Sequence, residues 1–202
     1  MGVRGAVGAL IAVLVLSGAI RLGPAQAAGP WRAQVVDAET GQPLEGVVVL
    51  AYWLKRYSTL GGWAGAEYYA SEEVVTDAEG RFVIQARSTF TFNPFAEIGD
   101  AEFLMFKPGY GQWRFQGEKD WPRDAYSAHE RQALVTEAWE RFTGAGAVIE
   151  LPPLKTRKER LEFLGRVSWA PVLPLEATKK MEKLIDQERT YHGLRKMYEG
   201  KP

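Results

Sequence analysis

Cysteine is absent from all 202 residues, which excludes disulfides, thiolate metal ligation, a cysteine nucleophile and a lipid-modified N-terminal cysteine. Histidine is nearly absent too. His129 and His192 are the only two, and they lie too far apart to form the closely spaced pair that metal sites commonly use. Net charge is zero, so there is no basic excess to displace counterions from a nucleic acid. Gly-x-Ser-x-Gly, a phosphate-cradling glycine loop and His-Glu-x-x-His are all missing. Ser127 stands two residues before His129 and is better placed to cap a helix, while Ser71 and Ser168 have no histidine nearby. Glu72 and Glu73 are adjacent on an expected strand, so they face opposite ways, a poor geometry for shared acid–base work. These absences predict a non-enzymatic chain with no catalytic residues, no cofactor and no metal. The remaining enzymatic alternative is a hydrolase whose carboxylates come together from distant strands.

Only one long uncharged run is present, and it is N-terminal. Arg4 precedes the mostly apolar Gly5 to Ile20, Arg21 closes it, and Ala25-Gln26-Ala27 is a small-x-small cleavage pattern. The run is short for a membrane span of about 20 residues. Residues 1–27 therefore read as a signal peptide cut between Ala27 and Ala28, and the mature chain is expected in the periplasm or outside the cell. Retention as an N-terminal anchor is the alternative.

The rest has a globular composition, 46% hydrophobic and 25% charged, which is too apolar for a disordered chain. Trp31 to Ala38 reads as a first strand, and Gly41 and Pro43 mark a turn. Val47 to Trp53 is an apolar run with no polar face, which predicts a strand covered on both sides. Lys55 to Tyr69 reads as a glycine-rich aromatic loop. Val74-Val75, a turn at Asp77–Gly80 and the alternating Arg81–Gln85 read as a hairpin. Ser88 to Asp100 reads as irregular, Ala101 to Lys107 and Gln112 to Phe115 as strands, and Ala147 to Leu151 as the last strand. Between these, Ser127 and Glu130 have capping-box spacing before the stripe Leu134, Val135, Ala138, Trp139 and Phe142, so a helical insertion is expected over 116–146. Thr156 and Glu159 repeat that spacing, and a longer helix is expected from Glu176 to Glu199 with Met181, Leu184, Ile185, Tyr191, Leu194 and Tyr198 near one face.

Four pieces, in order, resemble a carboxypeptidase regulatory-like domain, a transthyretin-like β-sandwich of exported bacterial proteins. They are Gly41-Gln-Pro-Leu-Glu-Gly46 before Val47, Thr76-Asp-Ala-Glu-Gly-Arg-Phe82, Lys107-Pro-Gly-Tyr110 and Val148-Ile-Glu-Leu-Pro152. The resemblance covers residues 31–153. It implies a seven-stranded antiparallel sandwich and a structural or interaction module with no chemistry of its own. The domain is placed at 28–154 and a helical extension at 155–202. Hydrolases on similar sandwiches carry several histidines and a C-terminal Tyr-Arg-Gly-Ser, for which Tyr191-His192-Gly193-Leu194 is no match.

The departures from the family pattern are where a private function is expected. Tyr57, Trp63, Tyr68 and Tyr69, set among glycines, are the candidate binding residues. Aromatic side chains give large contact areas at low entropic cost. They suit an envelope or extracellular protein partner, or alternatively a polysaccharide stacked on the stretch 52–69. The structural reading is that they fold back with Phe90, Phe92 and Phe95 to close one end of the sandwich. The terminal helix similarly packs on the domain or docks on a partner. No nucleic acid and no membrane span after signal cleavage are expected.

Overall fold

The computed structural model describes residues 27–59, 61–115, 147–166 and 173–198. The chain is mainly β within them. The strands are β1 (Ala27–Ala28), β2 (Trp31–Asp37), β3 (Val48–Thr59), β4 (Gly62–Val75), β5 (Arg81–Ile84), β6 (Arg87–Ser88), β7 (Ala96–Ile98), β8 (Glu102–Phe106), β9 (Trp113–Phe115) and β10 (Ala147–Leu151). Two helices follow, α1 (Arg157–Arg166) and α2 (Lys179–Tyr191), the second preceded by a 3₁₀ turn at Leu175–Ala177. One open sheet has the order β10-β2-β5; the other runs β4-β3-β8-β9 with β7 also paired to β3, and β1 pairs with β6. The expected helical insertion at 116–146, with Ser127 and His129, lies outside the described residues, as do residues 1–26 and Ser168.

The expectation of seven antiparallel strands needs correction on two points. Ten strands are found among the described residues, and β10 runs parallel to β2, with Ala147 opposite Ala33 and Leu151 opposite Asp37. Alternation of apolar residues looks the same in either direction, so the sequence pattern did not fix this pairing. Lys55 to Tyr69 is also not a loop. β3 and β4 stay paired out to Thr59 and Gly62, and Tyr69 and Ala64 are the extra residues of two bulges in β4. The bulges let a glycine-rich segment remain in the ladder while bending it.

The apolar run of β3 explains the layering. Val47, Val49, Ala51 and Trp53 enter a core shared with Trp31, Val35, Phe82, Ile84, Phe103, Met105 and Leu151, contributed by both larger sheets. Val48, Leu50, Tyr52 and Leu54 point the other way, into a second core with Leu104, Phe106, Leu164, Met181 and Ile185. Successive residues of a strand face opposite sides, so a strand with no polar face requires cover on both. The helices supply the second cover. Hence the C-terminal helix packs on the domain, and its apolar face is spent there.

That helix is shorter than the sequence pattern predicts, for a local reason. Gly193 has φ +76, Gly193 N donates to Thr190 O at 3.0 Å and Leu194 N to Arg189 O at 2.8 Å, a Schellman ending. The chain then turns back, so Leu194 and Tyr198 reach the second core from the tail while Tyr191 stays exposed on the helix. The capping box at the start of α1 forms as expected: Thr156 N donates to Glu159 Oε2 at 2.8 Å and Glu159 N to Thr156 Oγ1 at 3.2 Å.

The two ends of the body differ. At one, the turns 38–47, 76–80 and 107–111 are stitched together. Thr76 is buried, donates from Oγ1 to Leu44 O at 2.6 Å and accepts Val47 N at 2.9 Å. Asp37 Oδ1 accepts Glu39 N and Thr40 N, both at 2.8 Å, and Oδ2 accepts the Tyr110 hydroxyl at 3.0 Å. Gly80 has φ +71, and a Cβ there would lie 2.4 Å from Val35 O, so only glycine fits. The turn residues of the first three resemblance motifs sit at this end, while Phe82 of the second continues into β5 and the core. The hairpin of β3 and β4, the ribbon β1–β6 and the stretch 89–101 lie at the other.

Candidate functional site: the arm end

Past Leu54 the strand β3 leaves the core, and its burial falls from buried to half-buried to exposed by Ser58. Paired to β4 on one side and to β7 at Lys55–Tyr57 on the other, it forms a short three-stranded arm. The stretch 88–100 is bound to it through the backbone, with Ser58 N donating to Phe95 O at 2.9 Å and Gly99 N to Leu54 O at 3.0 Å.

On the arm the candidate residues separate. Tyr57 is three residues beyond Leu54 and so faces the opposite side from it, whereas Tyr68 is registered opposite Leu54 and shares its side. Tyr57 donates its hydroxyl to Glu67 Oε1, and Lys55 Nζ sits 5.1 Å from the Tyr57 ring centre and 3.5 Å from that same carboxylate oxygen. The Tyr57 hydroxyl lowers the pKa of Glu67, and contact with Tyr57, then with Glu67, raises that of Lys55. Both groups are thereby held charged. On the other side Tyr68 shares a hydrogen bond with Ser71 at 3.0 Å. Tyr69 stands at its bulge, 40% exposed. Trp63 is paired in register with Ser58 near the tip. Four aromatics on a single flat platform are thus not what the ladder makes; Tyr57 and Tyr68 are on two faces. Nor do the aromatics close the end with the phenylalanines, since Phe90, Phe92 and Phe95 remain exposed.

At the base of the arm the structure adds a group that sequence reading missed. Glu102 is buried, accepts the Tyr52 hydroxyl at 2.7 Å and lies 3.4 Å from Arg56. No motif marks it, because Tyr52 and Glu102 meet only through strand register. Glu72 and Glu73 do face opposite ways: Glu72 accepts Gln85 N at 3.3 Å, and Glu73 meets the N-terminus of α2.

His192 is buried at the turn end, 3.2 Å from Glu188, which Arg160 approaches at 3.6 Å. Among the described residues no group of three or more His, Cys, Asp or Glu is arranged to hold a metal ion. A cleft of about 590 Å³ beside α2 is lined by Lys179, Lys183, Gln187, Thr190 and Lys196 among others. Its one hydroxyl on the helix, that of Thr190, is spent on Asp186 O at 2.7 Å. Among the described residues no helix is long and apolar enough to cross a membrane. No family model and no curated protein matches the chain.

Proposed function

We propose that this chain is an exported, non-catalytic interaction module: a transthyretin-like β-sandwich of the carboxypeptidase regulatory-like kind that docks an envelope protein through its arm. One observation carries the reading. The arm leaves the core yet is held rigid by strand pairing on both sides of β3 and by the Lys55–Tyr57–Glu67 cluster. Tyrosine is one of the residues that interface hot spots draw on, and pre-ordering it outside the core lowers the cost of binding. The arm lies outside the four motifs that carry the family resemblance. α2 drops out as a docking element because Met181 and Ile185 are fully buried.

The test is the double variant Tyr57→Ala, Tyr69→Ala of the exported protein, purified gently from its envelope fraction. The reading predicts that a stoichiometric protein companion of the parent chain is lost while the melting temperature stays within a few degrees. Retention of the companion by the variant contradicts it. Loss of binding to envelope polysaccharide, with no protein companion in the parent, replaces it with the carbohydrate reading.

A further inference from the structure

Beside the arm, residues 88–96 form a turn whose surface chemistry differs from the arm's. Phe92 is 94% exposed, Phe95 68% and Phe90 45%. They are not loose. Phe90 and Phe92 pack edge to face with ring centres 4.8 Å apart, Asn93 Oδ1 accepts Phe95 N at 2.9 Å, and Ala96 N donates to Asn93 O at 3.1 Å. From Ser88 to Ala96 there is no charged residue; the first charges are Arg87, stacked over the Trp53 ring at 5.0 Å, and Glu97. A projecting, uncharged turn tipped by three phenylalanines marks a surface made for an apolar medium.

The position of the turn says which medium. Ser88 pairs with Ala27 in the β1–β6 ribbon, so the chain leading back to the apolar run Gly5–Ile20 joins the body at the foot of this turn. Residues 21–26 extend about 20 Å at most. In the form that keeps this run as an N-terminal anchor, the turn is held close to the bilayer that carries the run. A protein-specific hot spot would draw on Trp, Tyr or Arg, and the turn has none of them.

We infer that residues 88–96 are an interfacial membrane contact, Phe90, Phe92 and Phe95 entering the headgroup–acyl boundary of the bilayer beside which the arm works. The contact does not depend on what the arm binds, and it is a surface contact, not a span.

The absence of cysteine gives a clean test. Phe92→Cys carries one environment-sensitive fluorophore, and Val148→Cys, 58% exposed on β10, carries the control. Each is mixed with vesicles of phosphatidylethanolamine and phosphatidylglycerol, with and without quencher-bearing lipids. The inference predicts a blue shift and lipid quenching at position 92 and neither at 148. Adding Phe90→Ser and Phe95→Ser should weaken the position-92 response at least about tenfold for each phenylalanine removed. No shift at 92 overturns the inference, even where the N-terminal run holds the chain on the vesicle. A shift at 92 produced by lipid-free envelope protein instead of vesicles also overturns it and assigns the turn to the partner.

Discussion

Glu73 on β4 caps a helix that begins more than a hundred residues later. Its Oε2 accepts Lys180 N at 2.8 Å and its Oε1 accepts Met181 N at 3.0 Å, while Lys180 Nζ returns a bond to Glu73 O at 2.6 Å. Thr178, the residue in the N-cap position, makes no side-chain cap bond, so the sheet supplies what the helix start lacks. Glu73→Ala should therefore destabilise the chain by about 0.5–2 kcal/mol, the usual worth of a cap, as read by denaturant unfolding. An unchanged midpoint would mean that solvent satisfies those amides.

The same carboxylate gives a pH signature. Burial raises the pKa of Glu73 above its ordinary 4.5 despite the amide bonds that oppose the shift. In the window from 4.5 up to its folded value the native state holds the proton that the unfolded state has lost. Stability contributed by this group therefore falls as pH rises through that window. Asp37 has the opposite sign. Its bonds from Thr40 and Glu39 amides lower its pKa below 3.8, so its contribution is present above 3.8 and is lost as pH falls through the folded value. Comparing unfolding free energy against pH for Glu73→Gln and Asp37→Asn should flatten the first window and the second respectively.

Met181 and Ile185 are fully buried against Leu50 and Leu104 in the second core. Met181→Ala or Ile185→Ala should each cost about 2–5 kcal/mol. Removal of residues 175–202 should leave β3 and β8 with an uncovered apolar face and a chain that aggregates, read by light scattering. A truncated chain that stays monomeric with an unchanged melting temperature would detach the helix from the fold.

Gly80→Ala places a methyl 2.4 Å from Val35 O at a φ of +71, so strain and steric clash act together. A loss of more than about 1 kcal/mol is expected from thermal unfolding. Alanine at the exposed Gly41, where the φ is +69 but nothing lies within 4 Å, should cost less.

What was legible in the sequence was local or periodic. The apolar run of β3 predicted cover on both sides, Thr156 and Glu159 predicted their capping box, and Ala101 to Lys107 predicted the strand that β8 forms. Asp77 and Gly80 marked their turn. What was not legible depends on partners distant in the chain. The ladder from Lys55 to Tyr69 read as loop because its glycines signal turns, whereas pairing to β7 and two bulges keep it in the sheet. The parallel partner of β10 and the Tyr52–Glu102 contact are set by register. The true end of α2 was marked by Gly193, a signal outweighed by the apolar spacing beyond it. At the arm the sequence indicated aromatic residues but not that Tyr57 and Tyr68 would face apart.

The measurement that bears most directly on the docking role of the arm is site-resolved cross-linking in the native envelope. A photoreactive residue is placed at Ala66 on the arm and, separately, at Glu79 at the turn end, both exposed. The account predicts one discrete protein adduct from position 66, abolished by Tyr57→Ala with Tyr69→Ala, and none from position 79. Adducts of equal yield from both ends, or none from the arm, would contradict it.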